Sequence, residues 1–399
     1  MRNSSEFYRS RIKRTCKFIR RSFTKCNKSR CIIKLPMVLY TSFLPCRSDL
    51  NFCLCRRWSS RCCRSTQNEK LNFMSHLLEI NNLDVKFDTD EGRITAIDNV
   101  SLTLDQGKVL GIVGESGSGK SVTAKSIMQL NPGNTVYNDN AEIIIDDENV
   151  LKFTSKNDLK KIRGGKVSMI FQEPMASFAP AIKIGSQMVE QLMLHKPLDK
   201  KEAKNISIDM LNRVGIADAE KRFNQYAFEL SGGMRQRAMI AMALSTMPKL
   251  LLADEPTTAL DVTIQAQVIN LMKDIIKEFN MGVIFITHDL GVIAQVADDV
   301  AVMYLGSVVE RGPVNEILKN PKHPYTRGLL NALPDINNLD APLQPIPGNI
   351  PSPLDRPTGC VFRTRCPDPT HDCIEGNIEM GLIEVSPGHW VDKCCVNCG

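Results

Sequence analysis

The segment Gly114-Glu115-Ser116-Gly117-Ser118-Gly119-Lys120-Ser121 has the spacing G-x-x-x-x-G-K-S, which can hold a nucleoside triphosphate. Glycines at these positions let successive backbone N–H groups turn toward the β- and γ-phosphates, and a helix starting there adds the positive end of its dipole. Lys120 would then set an ammonium against the β- and γ-phosphates, and the Ser121 hydroxyl would ligate Mg2+. Farther along, Leu250-Leu251-Leu252-Ala253-Asp254-Glu255 is an apolar run that ends in two carboxylates. Asp254 suits a metal-holding carboxylate, and Glu255 suits a base that polarises an attacking water.

These groups need rigid elements behind them. Val109-Leu110-Gly111-Ile112-Val113 reads as a strand running into the glycine loop, and Ser121 to Leu130 reads as the helix leaving it. Gly164 to Phe171 is a further buried-strand candidate that ends at Gln172. Val283-Ile284-Phe285-Ile286-Thr287-His288-Asp289 repeats the design, with a histidine at its end. Strands with polar ends that alternate with helices describe a parallel sheet with its chemistry at the carboxyl ends, the P-loop α/β class. Upstream, Leu78 to Phe87 and Ala96 to Leu104 alternate apolar and polar residues as half-buried strands do. Phe87 stands where it could stack on a base, although core packing is the ordinary role of a lone aromatic. Residues from about 185 to 230 read as helical, with a loose apolar stripe through Ala203, Ile206, Ile208, Met210, Leu211 and Val214.

Charge and cysteine are spread unevenly along the 399 residues. Residues 1–73 carry 18 Lys/Arg against 3 Asp/Glu and eight of the 14 cysteines, whereas the rest of the chain has a net charge of −9. A mildly acidic body argues against a nucleic-acid binder. Residues 74–359 contain no cysteine, which excludes a disulfide-stapled secreted fold. No apolar run is long enough to span a membrane; Met37 to Leu44 is short and flanked by prolines. The segment 1–73 is expected to be a disordered tail or an over-extended reading frame ahead of Met74, with an organelle-targeting signal as the other reading.

Leu230-Ser231-Gly232-Gly233-Met234-Arg235-Gln236-Arg237, set between the phosphate loop and the Asp254-Glu255 strand, resembles the signature of the nucleotide-binding subunits of ATP-binding-cassette (ABC) transporters. The order of the other motifs is similar too: Gln172 at the Q-loop, Ala259-Leu260-Asp261 at the D-loop and His288 at the switch position. The resemblance spans residues 77 to 395. It implies a P-loop ATPase core over 74–320, with a small antiparallel β subdomain and a helical subdomain at about 175–235. It also implies that two subunits sandwich two ATP molecules. Ser231 and Gly233 would then meet the γ-phosphate seated on the opposite subunit's Lys120. His288 would contact the γ-phosphate of its own subunit, Asp261 would lie beside the nucleotide, and Gln172 would sit close to the metal.

Within that family, Glu255 to Gln267, Ser231 to Leu244 and His323-Pro324-Tyr325-Thr326-Arg327-Gly328-Leu329-Leu330 resemble dipeptide/oligopeptide importers. The last stretch would belong to that group's C-terminal extension, here 321–399, which has a four-cysteine pattern at Cys360, Cys366, Cys373 and Cys394. Thiolate-only ligation fits an iron–sulfur cluster or Zn2+. The spacing of the first three cysteines lacks a C-x2-C knuckle and favours iron–sulfur, while Cys395-Val396-Asn397-Cys398 keeps zinc open and Cys395 competes with Cys394 as fourth ligand. Met175 to Pro180 and Tyr226-Ala227-Phe228 depart from the group's usual sequences where a membrane subunit would dock. The resemblance therefore implies an ATPase on the cytoplasmic face of a membrane, with two permeases, a second ATPase subunit and, indirectly, an extracytoplasmic peptide-binding protein. Nickel or a peptide-like antibiotic remains an alternative cargo, and a non-transport ABC ATPase is the more distant alternative.

Overall fold

In a computed structural model the described residues are 76–257, 262–333, 344–378 and 380–396. The chain divides after residue 73, and all described residues belong to the second unit, Met74–Gly399. The basic segment, Asp261 and Cys398 lie outside them.

β1 (Leu78–Thr89) and β2 (Gly92–Leu104) form a long antiparallel hairpin with Leu78 opposite Leu104. β3 (Val109–Val113) leads through the glycine loop into α1 (Lys120–Ile127). That helix stops short of the expected Leu130 because Gln129 turns the chain at φ 51°. β4 (Thr135–Tyr137), β5 (Glu142–Ile145) and β6 (Glu148–Asn149) complete an antiparallel sheet in the order β2-β1-β5-β6, with β4 also paired to β1.

After α2 (Lys156–Ile162) and β7 (Val167–Ile170), the helical region consists of α3 (Ile184–His195), α4 (Lys200–Arg213), α5 (Ala219–Phe223) and α6 (Gly232–Ser245). An Asp199/Glu202 capping box fixes the start of α4. β8 (Leu250–Asp254), α7 (Val262–Phe279), β9 (Gly282–Ile286), α8 (Leu290–Val296) and β10 (Asp299–Tyr304) follow. The chain then runs through β11 (Ser307–Pro313), α9 (Val314–Lys319), α10 (Pro324–Asn331), α11 (His371–Glu375), β12 (Leu382–Ser386) and β13 (His389–Asp392).

The second sheet has eight strands in the order β12-β13-β11-β10-β3-β9-β8-β7. The run from β10 to β7 is parallel, and the other three strands pair antiparallel. The apolar runs follow directly from this architecture. In β3, β8 and β9 every residue is buried. Leu110, Leu252 and Ile284 enter the core shared with β1, β2 and α1, while Val109, Leu251 and Val283 enter the core beneath the helices. Both faces of a parallel strand are covered, so alternate residues are apolar on both sides.

The C-terminal extension joins this same sheet. β13 pairs with β11, Glu310 opposite Val391 and Arg311 opposite Trp390. At that seam the fully buried Glu310 carboxylate accepts hydrogen bonds from the Lys322 N–H (2.7 Å) and the His323 N–H (3.0 Å), and pairs with His389 Nε2 at 2.8 Å. Removing a buried carboxylate strands its partners, so Glu310→Ala should cost about 3 kcal/mol or more in chemical denaturation. A loss near zero would mean that this seam does not hold the extension.

Candidate active site

Lys120 is almost wholly buried, and its Nζ donates to the carbonyls of Gly114 (2.8 Å) and Glu115 (2.8 Å) and to Ser118 Oγ (3.3 Å). Burial lowers its pKa, opposed by the nearby carboxylates of Glu255, Asp254 and Glu115. The loop can wrap the ammonium only because of its glycines. Gly114 has φ 154°, and a Cβ there would meet the Met303 carbonyl at 2.1 Å. Gly119, at φ 98°, caps α1 without a side chain. The first N–H groups of the helix therefore face a ligand site. Ser116, Gly117, Ser118, Gly119, Lys120 and Ser121 line a cavity of about 250 Å3. Phe87, Gln172 and Glu255 border the same space, as do Leu305 and Pro353.

β8 ends at Asp254, and Glu255 adopts φ 47° while its N–H still donates to the Ile286 carbonyl. This left-handed turn separates two neighbouring carboxylates. Asp254 stays buried and accepts from Ser121 Oγ at 3.1 Å; burial raises its pKa, and the serine bond offsets part of that. Glu255 reaches the cavity, where Gln172 Nε2 donates to Oε2 at 2.9 Å and His288 Nδ1 lies 3.2 Å from Oε1. The oxygen donors of Ser121 and the buried Asp254 carboxylate suit Mg2+. Glu255, expected to polarise the water, is thus joined by hydrogen bonds to Gln172, expected near the metal, and to His288, expected at the γ-phosphate.

Ser231 and Gly233 do not line this cavity. Ser231 caps α6, its Oγ accepting from the Met234 N–H, and both Ser231 and Gly232 are exposed. Behind that helix entry, the buried Gln236 amide donates to the Pro256 carbonyl, linking the signature helix to the turn after Glu255.

The cysteines also gather. Cys360 and Cys394 share a hydrogen bond, and the Cys394 and Cys395 sulfurs lie 3.4 Å apart. The Thr370 hydroxyl donates to Cys373 Sγ at 3.1 Å, and none of these cysteines is in a disulfide. Sequence reading missed His323, from which a ring nitrogen lies within 4.8 Å of the Cys394 and Cys395 sulfurs. Its Nδ1 accepts from the Tyr325 N–H, and burial pushes its pKa down to about 3, so the ring is neutral with its proton on Nε2. A nitrogen carrying a proton can donate to a thiolate but cannot ligate a metal. Cys360, Cys373, Cys394 and Cys395 are buried, and sulfur donors of this kind suit a soft metal centre.

Residues 97–258 match the ABC transporter family, and residues 309–373 match the oligopeptide/dipeptide transporter C-terminal region. The oligopeptide transport ATP-binding protein AppD of Bacillus subtilis is 49% identical over 300 residues, covering 75% of this chain and 91% of that protein. The chain belongs to the ABC transporter ATP-binding proteins. Within the family, it is 48% identical over 312 residues to the oligopeptide transport ATP-binding protein OppD of Salmonella typhimurium, covering 78% of this chain and 91% of that one. A dimeric ATP-binding cassette solved in a post-hydrolysis state with ADP and Pi superposes with a TM-score of 0.54 at 26% identity, over 59% of this chain and 98% of that one.

ABC cassettes hydrolyse ATP, and the buried Asp254 at the end of β8 carries a stability cost of its own. Because its pKa is raised on folding, the ionised carboxylate destabilises the fold at neutral pH, and the cost shrinks as pH falls toward the unfolded value. Asp254→Asn should therefore raise the melting temperature without nucleotide and abolish Mg2+-dependent ATP hydrolysis. An unchanged or lower melting temperature would show that the burial cost is met elsewhere.

Proposed function

We propose that this chain powers the import of di- or oligopeptides by binding and hydrolysing ATP. The observation that carries the reading is the Glu255 carboxylate held between Gln172 and His288 at the mouth of the Lys120 loop, on a chain whose C-terminal region matches that of oligopeptide/dipeptide transporters. Lys120 and the loop N–H groups bind the phosphates, and Phe87 takes the base. Ser121 and Asp254, with Gln172 nearby, hold Mg2+, which when bound neutralises charge on the β- and γ-phosphates. Glu255 accepts the proton of the attacking water, and His288 stands over the γ-phosphate. The exposed Ser231, with Gly233 beside it on the helix entry, takes the γ-phosphate of a second ATPase subunit, a use that explains why a capped helix entry sits outside its own cavity. The D-loop residue Asp261, which lies outside the described residues, would join these nucleotide contacts, as the family resemblance implies.

Closure of the paired subunits would then move two permeases, from the cytoplasmic face of the membrane, and hydrolysis would reset them. Among the described residues no helix is long and apolar enough to cross a membrane, so transport needs those partners. An extracytoplasmic binding protein would choose the peptide. Cys360, Cys366, Cys373 and Cys394 would hold an iron–sulfur cluster, with zinc as the alternative; either centre would crosslink the extension, and the former would also make it redox-sensitive.

Glu255→Gln should keep ATP binding and accumulate an ATP-dependent dimer seen by size-exclusion chromatography, because the proton acceptor is gone. Hydrolysis at the wild-type rate would remove Glu255 from that role. In cells, labelled dipeptide uptake lost on deletion should return with the full chain and not with Lys120→Ala. Unchanged uptake in a strain without redundant importers would overturn the peptide assignment and leave the ATPase standing. Anaerobically purified protein should be brown and contain iron; a colourless protein with stoichiometric zinc would decide for the alternative.

A further inference from the structure

The strongest connection between the extension and the ATP site runs through Glu115, a loop residue that the phosphate-binding pattern leaves unspecified. Its N–H donates to Tyr325 Oη at 2.8 Å. Its carboxylate accepts from Arg365 Nη1 at 2.7 Å and from Nη2 at 3.2 Å. Its carbonyl accepts from Lys120. The peptide that opens the phosphate loop is thus held on three sides, two of them by the extension.

The holders are themselves fixed. The Arg365 side chain is 3% exposed, and its Nε donates to the Pro347 carbonyl at 3.0 Å. Tyr325 packs on Tyr304 and Phe362, with ring centroids 4.7 Å and 5.4 Å away. Phe362 and Arg365 both lie between Cys360 and Cys366 in sequence, so whatever fixes those two cysteines also fixes the clamp. A second strap lies alongside: Arg356 donates to the Leu305 carbonyl (2.7 Å) and pairs with Asp98 (2.7 Å), while Leu305 and Pro353 line the nucleotide cavity.

We propose that Tyr325 and Arg365 are positioning residues for ATP binding, which makes the cysteine-bearing extension a working part of the phosphate loop. The inference rests on the reading that Gly114 to Ser121 binds ATP. A loop that wraps phosphates with backbone N–H groups is sensitive to the rotation of each peptide, and here the peptide that leads into those groups takes its orientation from outside the ATPase motifs. Anything that loosens Cys360 or Cys366 would reach the ATP site along this path.

The test is Mg-ATP and Mg-ADP titration of the full chain by calorimetry, with melting temperatures alongside. Tyr325→Phe keeps the ring among its aromatic neighbours and deletes only the hydroxyl. It should weaken binding of both nucleotides by about tenfold, the order set by one well-placed hydrogen bond, with little change in melting temperature. Arg365→Gln and Glu115→Gln should each weaken binding, and the double variant should be no weaker than the worse single one, because they share one pair. Arg365→Lys should recover part of the loss. Wild-type affinity in folded Tyr325→Phe and Arg365→Gln proteins would overturn the proposal and reduce these contacts to packing. Should Arg365→Gln unfold, Tyr325→Phe alone decides. If the wild-type chain binds no ATP, or Lys120→Ala binds it equally well, the ATP reading itself falls and the clamp with it.

Discussion

A lysine ammonium removed from water and surrounded by its own loop's carbonyls is the constraint on which the site depends. Lys120 loses hydration on burial, and Gly114, Glu115 and Ser118 replace it with three oxygen partners. That ring closes only if Gly114 and Gly119 adopt backbone angles other residues avoid, and only if β2 and β10 come close beneath it, where any Cβ would strike the carbonyls of Ala96 and Met303. A phosphate offers the same ammonium better oxygens, so the loop is shaped for its ligand before the ligand arrives. The parallel strands serve this geometry by fixing where β3 ends.

Asp254 and Glu255 show how one backbone angle divides labour. Adjacent in sequence, they would compete for one cation if both pointed alike. The left-handed turn at Glu255 leaves Asp254 buried against Ser121 and sends Glu255 to Gln172 and His288. Four chain segments, the ends of β3, β7, β8 and β9, contribute to one small volume. Each arrives at the carboxyl edge of the same parallel sheet, which is why side chains far apart in sequence meet there.

The extension is bound into the molecule by buried polar contacts as well as apolar packing. Glu310 satisfies two backbone N–H groups and His389, and Arg365 reaches Glu115 from a site with almost no solvent. Buried charged groups are costly unless every partner is in place, so such contacts specify one docking geometry rather than a range. The cysteines sit behind this interface, next to the neutral His323, where a soft metal would lock both ends of the segment.

By itself the sequence determined the chemistry-bearing residues and the class of fold. The phosphate loop, the Asp254-Glu255 strand end and the signature are local patterns, written in neighbouring residues because a tight loop, a buried strand and a capped helix each have strict local requirements. Apolar runs such as Val283 to Ile286 also marked parallel strands directly, since both faces must be apolar. Tertiary structure alone decided which groups meet. The divergence of the two carboxylates depends on a turn angle at a residue that is not glycine. The pairing of Glu115 with Arg365 spans a sequence separation of 250 residues. The placement of β13 beside β11 and of His323 beside Cys394 depends on strand pairing across the extension. Contacts of that kind leave no periodic trace, because nothing in either segment alone demands the other.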